Sequence, residues 1–268
     1  METAIEQRNE RRPTESLAES SRLAVIVPVY NEERTVVELL RRLEAQPCVS
    51  QIIIVDDGST DRTYEELELW RVGERFTADS SASSQSIIVL QHGRNRGKGR
   101  AIRTGLDQVT CSHVVIQDAD LEYDPADINK LWAVMQSGEA DVVYGSRYLN
   151  DPGLQRGRIV LQSGIRFLNL LIRLLYGVRL TDEATCYKMF RTNDLRTMEL
   201  QCEQFEFCPE VTCCALTRGL TILEVGIAYE PRAAAEGKKL RVSDGLYAAL
   251  RICIECFPRA YSRTTSPN

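Results

Sequence analysis

Four short apolar runs, each closed by a polar cluster and followed by a helical pattern, leave this chain few folds to adopt. Leu23-Ala24-Val25-Ile26-Val27 reads as a strand stopped by Pro28. A helix is expected from Glu32 to Glu44, where Val36, Leu39, Leu40 and Leu43 recur at helical spacing. Gln51 to Val55 is the second strand. It ends in Asp56-Asp57-Gly58-Ser59-Thr60-Asp61, whose Ser59 or Thr60 can cap a helix running through Leu67. Residues 73–86 are Ser/Ala-rich and read as a loop insertion. Ile87 to Leu90 is a third strand, followed by a Gly/Arg/Lys run, Gly93 to Arg100, and a helix to about Val109. Val114 to Gln117 is the fourth strand, Pro125 to Gln136 a helix and Asp141 to Tyr144 a fifth strand. Alternation at this pitch predicts an α/β fold: a mostly parallel sheet with helices on both faces. Ligands in such sheets collect beyond the carboxyl ends of the strands, where the polar clusters after Val27, Val55, Leu90 and Gln117 all fall.

The fourth of these clusters carries the most chemistry. Asp118, Asp120 and Glu122 place three carboxylates within five residues, and on an extended segment alternate residues share one face. Carboxylates so close raise one another's pKa unless a positive charge sits between them. A hard divalent cation, Mg²⁺ or Mn²⁺, bound through oxygen and shared with substrate phosphates, is the natural counter-charge. The alternative is a plain acidic strand-to-helix turn, with Asp124 before Pro125 opening the next helix.

Composition narrows the classes. The chain has 268 residues, 43% hydrophobic and 26% charged, with a net charge of −5, which argues against a non-specific nucleic-acid binder. Residues 1–21 are polar and without an apolar run, so they read as a disordered lead-in and not a signal peptide; residues 258–268 read as a tail. No run of about 20 uncharged apolar residues is present to span a bilayer. The nine cysteines are expected to be reduced, in a protein that is not secreted. The expected location is cytoplasmic, with peripheral attachment to the cytoplasmic face of a membrane as an option. Cys253-x-x-Cys256 lacks a second pair for zinc, and two histidines, His92 and His113, leave little for a triad.

Two nucleotide-binding signatures fail. Gly93 to Gly97-Lys98 is one residue short of a P-loop and Gly99 stands where Ser or Thr is needed. The first strand ends in Pro-Val-Tyr-Asn-Glu, without the glycines of a dinucleotide fingerprint. VPVYNE (Val27–Glu32), VDDGSTD (Val55–Asp61), NRGKG (Asn95–Gly99), QDADLE (Gln117–Glu122) and YGSRY (Tyr144–Tyr148) occur in this order. Together they resemble the family-2 glycosyltransferases of the GT-A fold, in particular the dolichol-phosphate mannosyltransferase-like branch, from about Leu23 to about Phe257.

The resemblance implies a GT-A Rossmann-like sheet over residues 22–257, with residues 22–150 binding a nucleotide-diphosphate sugar and 151–257 serving the acceptor. It implies that Pro28, Tyr30 and Glu32 cradle the nucleoside, with Val55 beside them and Asp57 on the base or ribose. Asp118, Ala119 and Asp120 match the DxD motif, with Glu122 as a third metal ligand or an outer contact. Lys98 and Arg147 would face the donor's phosphates or sugar. Arg232 and Lys238, in a small-residue loop ending Gly-Lys-Lys, would meet an acceptor phosphate.

In the second half, Arg158, Gln162, Arg166, Asn169 and Arg173 form a polar stripe about 80° wide on a helix that is otherwise apolar. A membrane surface, a second copy of the chain and the domain core all fit so wide an apolar arc. The resemblance favours the membrane, because relatives place interface helices beneath a lipid-phosphate acceptor. Cys186 stands where relatives commonly carry glycine. Glu203 to Arg218 and Ser243 to Phe257 read as helices, and Leu220 to Tyr229 as a late strand. Family-2 members invert the anomeric carbon by one in-line displacement. A polyprenyl or dolichyl phosphate would need no strong base, whereas a hydroxyl acceptor would need a carboxylate, Glu210 or Asp182. A sugar-1-phosphate nucleotidyltransferase and an inactive nucleotide-sugar-binding module are the readings of another class.

Overall fold

A computed structural model describes residues 21–77, 85–150, 159–232 and 242–256. Its elements follow the chain as β1 (Leu23–Val29), α1 (Val36–Glu44), β2 (Val49–Asp56), α2 (Thr63–Thr77), β3 (Ser86–Gln91), α3 (Lys98–Leu106) and β4 (His113–Ile116). A 3-10 turn (Pro125–Asp127) leads into α4 (Ile128–Ser137), β5 (Val142–Ser146), α5 (Ile159–Tyr176), β6 (Lys188–Arg191), α6 (Thr192–Thr197), α7 (Phe207–Thr217), β7 (Ile222–Gly226) and α8 (Val242–Cys256).

The strands form one seven-stranded sheet in the order β3-β2-β1-β4-β6-β5-β7. Every neighbouring pair is parallel except those of β6, which enters antiparallel to both β4 and β5. Helix α3 packs on β1 and β2, α1 on β2, and α4 on β5 and β6. Apolar side chains of β1, β2 and β4 are buried, as strands covered on both faces require. The expectation of a mostly parallel sheet holds, and β1 to β4 deliver their polar clusters to one edge.

Several boundaries differ from expectation for physical reasons. β1 runs through Pro28 to Val29. Its pairing with β4 ends at Ile26↔Ile116, and the Gln117 N–H bonds the Ile26 carbonyl. The donor that Pro28 lacks therefore faces a side where no ladder continues. Before α1, residues Glu32–Thr35 form a turn in which the Thr35 and Val36 N–H groups bond the Glu32 carbonyl. Asp61, not Ser59 or Thr60, takes the Thr63 N–H at the start of α2. Ser59 and Thr60 instead accept from the backbone and side chain of Asn31. The predicted loop at 73–86 is partly helix, since α2 continues to Thr77.

Candidate active site

Strand β4 stops at Ile116, and the next six residues do not continue extended. Leu121 has φ +57°, a left-handed conformation costing a branched residue about 1–2 kcal/mol. Strain of this kind persists only where its surroundings impose it. The turn removes the alternation expected of Asp118, Asp120 and Glu122 and gives each a different partner. Asp118 Oδ1 lies 2.6 Å from Lys98 Nζ. Asp120 Oδ1 accepts the Glu122 N–H at 3.2 Å. Glu122 turns to the chain after β7, taking the Tyr229 hydroxyl at 3.0 Å and the Arg232 N–H at 2.9 Å.

Charge at this tip is unbalanced. Burial, then the neighbouring charges of Asp118 and Glu122, push the Asp120 carboxyl up to about 7, against a smaller pull from Arg232. Burial works against the Lys98 ammonium, yet Asp118 holds its pKa well above the ordinary lysine value. Oxygen donors with surplus negative charge suit a hard dication. Asp118 and Asp120 fit that role. Glu122 has both oxygens engaged, and among the described residues no three His, Cys, Asp or Glu side chains converge as a ligand set. A dication here would complete its shell from substrate and water.

Beside this tip, at the ends of β1, β2 and β3, lies an open cleft of about 450 Å³. Tyr30, Ser59, Thr60, Gln91, His92 and Arg94 are among its lining residues. Asp57, expected on the base or ribose, is buried behind it as a hub. Its Oδ1 bonds His92 Nδ1 at 2.6 Å and the Arg96 N–H at 2.9 Å, and its Oδ2 takes the Gly97 N–H at 2.7 Å. His92 Nε2 reaches Thr104 Oγ1 at 3.0 Å. His92, which no sequence motif marks, lines the cleft, and its place just past β3 on the ligand-binding edge is the signal the sequence offers for it.

The glycines of this edge permit close approach. Gly58 (φ +69°) lies against the backbone of Arg94, and a Cβ there would overlap it. Gly97 (φ +98°) lies equally close to the carbonyl of Glu203, so the start of α3 is pressed onto residues 203–204. Lys98 is thereby aimed at Asp118 from a fixed backbone.

Other expected site residues are placed differently. Val55 is a fully buried core residue of β2. Glu32 is buried and paired with Arg232, Oε2 to Nη2 at 2.6 Å. The same guanidinium bonds the Asp120 carbonyl at 2.8 Å. Arg232 thus ties the chain after β7 to the carboxylate turn and carries a partner of its own. Arg147, expected at the donor, instead makes a two-pronged ion pair with Asp182, Nε to Oδ2 at 2.7 Å and Nη2 to Oδ1 at 2.6 Å. Its backbone N–H adds a third bond to Asp182 at 3.1 Å. Burial opposes that charge and Asp182 sustains it.

Glu210, expected as a base, is buried in α7. It accepts the Gln201 and Cys202 N–H groups, each at 2.9 Å, and is paired with Arg251. These bonds commit both oxygens to structure. Pro28 and Tyr30 stand at the end of β1, and Ala119 is buried within the carboxylate turn. Arg158 and Lys238 lie outside the described residues.

Helix α5 buries Ile165, Leu168 and Ile172 and exposes Phe167, Leu170 and Leu174. Helix α8 packs against it and exposes Leu246, Leu250 and Ile254. The stripe expected to be polar is not uniformly solvated: Asn169 bonds the Thr181 carbonyl at 2.7 Å and the Glu183 N–H at 3.0 Å. Among the described residues no helix is long and apolar enough to cross a membrane.

Comparison with known proteins is consistent with this arrangement. The family model described as glycosyl transferase family 2 matches residues 24–198. The dodecaprenyl-phosphate galacturonate synthase of Rhizobium johnstonii is 30% identical over 202 residues, 74% of this chain and 56% of that protein. An undecaprenyl-phosphate 4-deoxy-4-formamido-L-arabinose transferase of Pseudomonas paraeruginosa is 29% identical over 91% of this chain and 66% of its own. The chain thus spans 56% and 66% of the lengths of these two relatives. The UDP-N-acetylglucosamine–dolichyl-phosphate N-acetylglucosaminyltransferase of Methanococcus voltae is 28% identical over 84% of this chain and 93% of its own. Glucosyl-3-phosphoglycerate synthase from Mycobacterium tuberculosis, solved with Mn²⁺, uridine-diphosphate and glucosyl-3-phosphoglycerate, superposes with a TM-score of 0.66. That match covers 88% of this chain and 80% of that one at 18% identity, and it speaks for the GT-A fold alone.

Proposed function

The chain belongs to glycosyl transferase family 2, and we propose that it moves a hexose from a nucleotide-diphosphate sugar, of GDP-mannose or UDP-glucose type, to a polyprenyl or dolichyl phosphate. The observation that carries this reading is the surplus negative charge of the Asp118–Glu122 turn, felt most by Asp120, with an open cleft at the neighbouring strand ends. In it, Tyr30, Ser59 and His92 bound the nucleoside space, and Lys98 stands at the phosphates. A Mg²⁺ or Mn²⁺ ion held by Asp118 and Asp120 would supply the counter-charge that a departing nucleoside diphosphate needs.

The acceptor follows from what the protein's own carboxylates are free to do. A phosphate oxyanion is already a nucleophile at neutral pH, so in-line attack with inversion needs no base. A hydroxyl acceptor would need one, and Asp182 and Glu210 are both held by arginine and by backbone N–H groups. Three relatives are named for prenyl-linked phosphates. The exposed leucines of α5 and α8 would rest on the membrane that holds such an acceptor.

The test is a thermal-shift screen of nucleotide sugars with Mn²⁺, followed by transfer of labelled sugar from the best donor into an organic-soluble polyprenyl phosphate. A donor at 100 times its Kd should stabilise the fold by about 2.7 kcal/mol. No shift with any donor overturns the reading. Transfer to a soluble hydroxyl acceptor, with none to lipid phosphate, overturns the acceptor.

A further inference from the structure

We propose that Lys98 is a latch on the cation site: its ammonium occupies Asp118 until the diphosphate of an incoming nucleotide draws it away, so that dication and nucleotide enter together. This rests on the donor reading above and adds an order of events to it.

The contact is built to be exchanged. Lys98 Nζ touches Asp118 Oδ1 at 2.6 Å, and among the described residues the Cys186 thiol, at 3.6 Å, is its one further hydrogen-bond partner. A thiol is a weak acceptor, so one carboxylate oxygen holds the ammonium. The Asp118 side chain is 25% exposed and can be reached from outside, whereas that of Asp182 under Arg147 is fully buried. The backbone of Lys98 is fixed at the start of α3 by Gly97, while its four-carbon stem lets the charged end swing.

A dication arriving alone meets Asp118 already neutralised, and it must either displace a cation or sit beside one. A nucleoside diphosphate gives that ammonium a second anion to bind. Asp118 is then released as the phosphates arrive with ligand oxygens of their own. Coupling of this kind is reciprocal: whatever factor the nucleotide adds to metal affinity, the metal adds to nucleotide affinity.

The experiment measures Mn²⁺ binding to the full chain from the paramagnetic resonance signal of the free ion, without nucleotide and with UDP or GDP. Wild type should bind Mn²⁺ alone at least about tenfold more weakly than with the nucleotide it accepts. Lys98→Gln should tighten Mn²⁺ alone by about tenfold and shrink the nucleotide's effect on metal affinity by the same factor. Lys98→Arg keeps the charge and should bind Mn²⁺ alone no more tightly than wild type. A Gln variant that leaves both quantities within about twofold of wild type overturns the latch, as does an Arg variant that tightens Mn²⁺ as Gln does. If Lys98→Gln does not fold, the wild-type comparison decides, and equal Mn²⁺ affinities with and without nucleotide overturn the proposal. Should neither UDP nor GDP bind wild type even with Mn²⁺, the donor reading falls and takes the latch with it. Nucleotide binding with coupling unchanged in Lys98→Gln removes the latch alone.

Discussion

At the tip of β4 and at the tip of β5 the sheet sets acidic side chains against cations, and it builds the two places differently. Past β5, Asp182 receives two guanidinium bonds and a backbone N–H from Arg147 with almost no access to water. Its neighbour Glu224 is likewise occupied by the Thr181 and Asp182 backbones. Past β4, Lys98 makes one contact with Asp118, and Asp120 gathers burial and two like charges. Matched charge stiffens the first place into scaffold. Unmatched charge at the second costs stability and leaves a demand that a cation or a substrate can meet.

The sharpest way to break this contrast is Asp120→Asn. Transfer should fall by about a thousandfold or more, about 4 kcal/mol of transition-state stabilisation, in a labelled-donor assay. Stability should move the other way. With a folded pKa of about 7 and an unfolded value of about 3.9, the folded chain holds a proton through that window that the unfolded chain has lost. The stability linked to Asp120 is thus fully present below about pH 3.9 and lost as pH rises to about 7. Asn carries no such loss, so the variant should be more stable than wild type at pH 8, by up to a few kcal/mol, and the gap should narrow toward pH 5 and close at about pH 3.9. A variant that melts lower at pH 8 would mean the Asp120 charge is matched after all.

Next in size are changes on the matched side. Arg147→Met strands Asp182 in the interior and should cost about 3–5 kcal/mol in denaturant unfolding. Glu210→Ala frees two backbone N–H groups and one bond of Arg251, which keeps Glu255 at 2.7 Å; a cost of about 2–3 kcal/mol is expected. Turnover per folded molecule should stay within about tenfold of wild type for Glu210→Ala. A well-folded Glu210→Ala protein slowed by about 10²–10⁴ would instead restore Glu210 as a base and a hydroxyl as acceptor.

The sheet was legible in the sequence up to β5, because buried parallel strands are continuous β-branched runs and their helices show a clear 3.6-residue period. β6 was not. Lys188-Met189-Phe190-Arg191 is four residues long with a charge at each end, and Lys188 enters the core with its ammonium bonded to the Glu183 carbonyl at 2.5 Å and lying over the Tyr144 ring, 3.8 Å from the centroid. Of the candidate site, Asp118 and Asp120 stand out by their spacing, while Tyr30 and Lys98 are pointed to by the family resemblance. Partners are legible in neither, since pairing is decided by the fold. Asp182 lies 35 residues from Arg147, Arg251 lies 41 from Glu210, and Glu32 lies 200 from Arg232. A motif supplies the charged group without saying which arginine will have claimed it.

The smallest effect on stability, and the one that extends the contrast to the surface, is expected from Leu174→Ser combined with Leu250→Ser. These side chains are 70% and 55% exposed, on two helices that pack together. Removing them should change unfolding free energy by no more than about 0.5 kcal/mol. If α5 and α8 rest on lipid, the pair should weaken sedimentation with anionic vesicles by about tenfold or more, since each leucine buried in the interface contributes on the order of 1 kcal/mol. Arg166 and Arg173, exposed on α5, should make that binding fall further as salt rises. A second copy of the chain would give a different signature: wild type would be a dimer by light scattering, the double variant a monomer, and vesicle binding would be the same for both. The apolar face would then be matched by its twin, as Asp182 is by Arg147, and the β4 tip would be left as the one place in this contrast where the chain by itself does not meet its own demand.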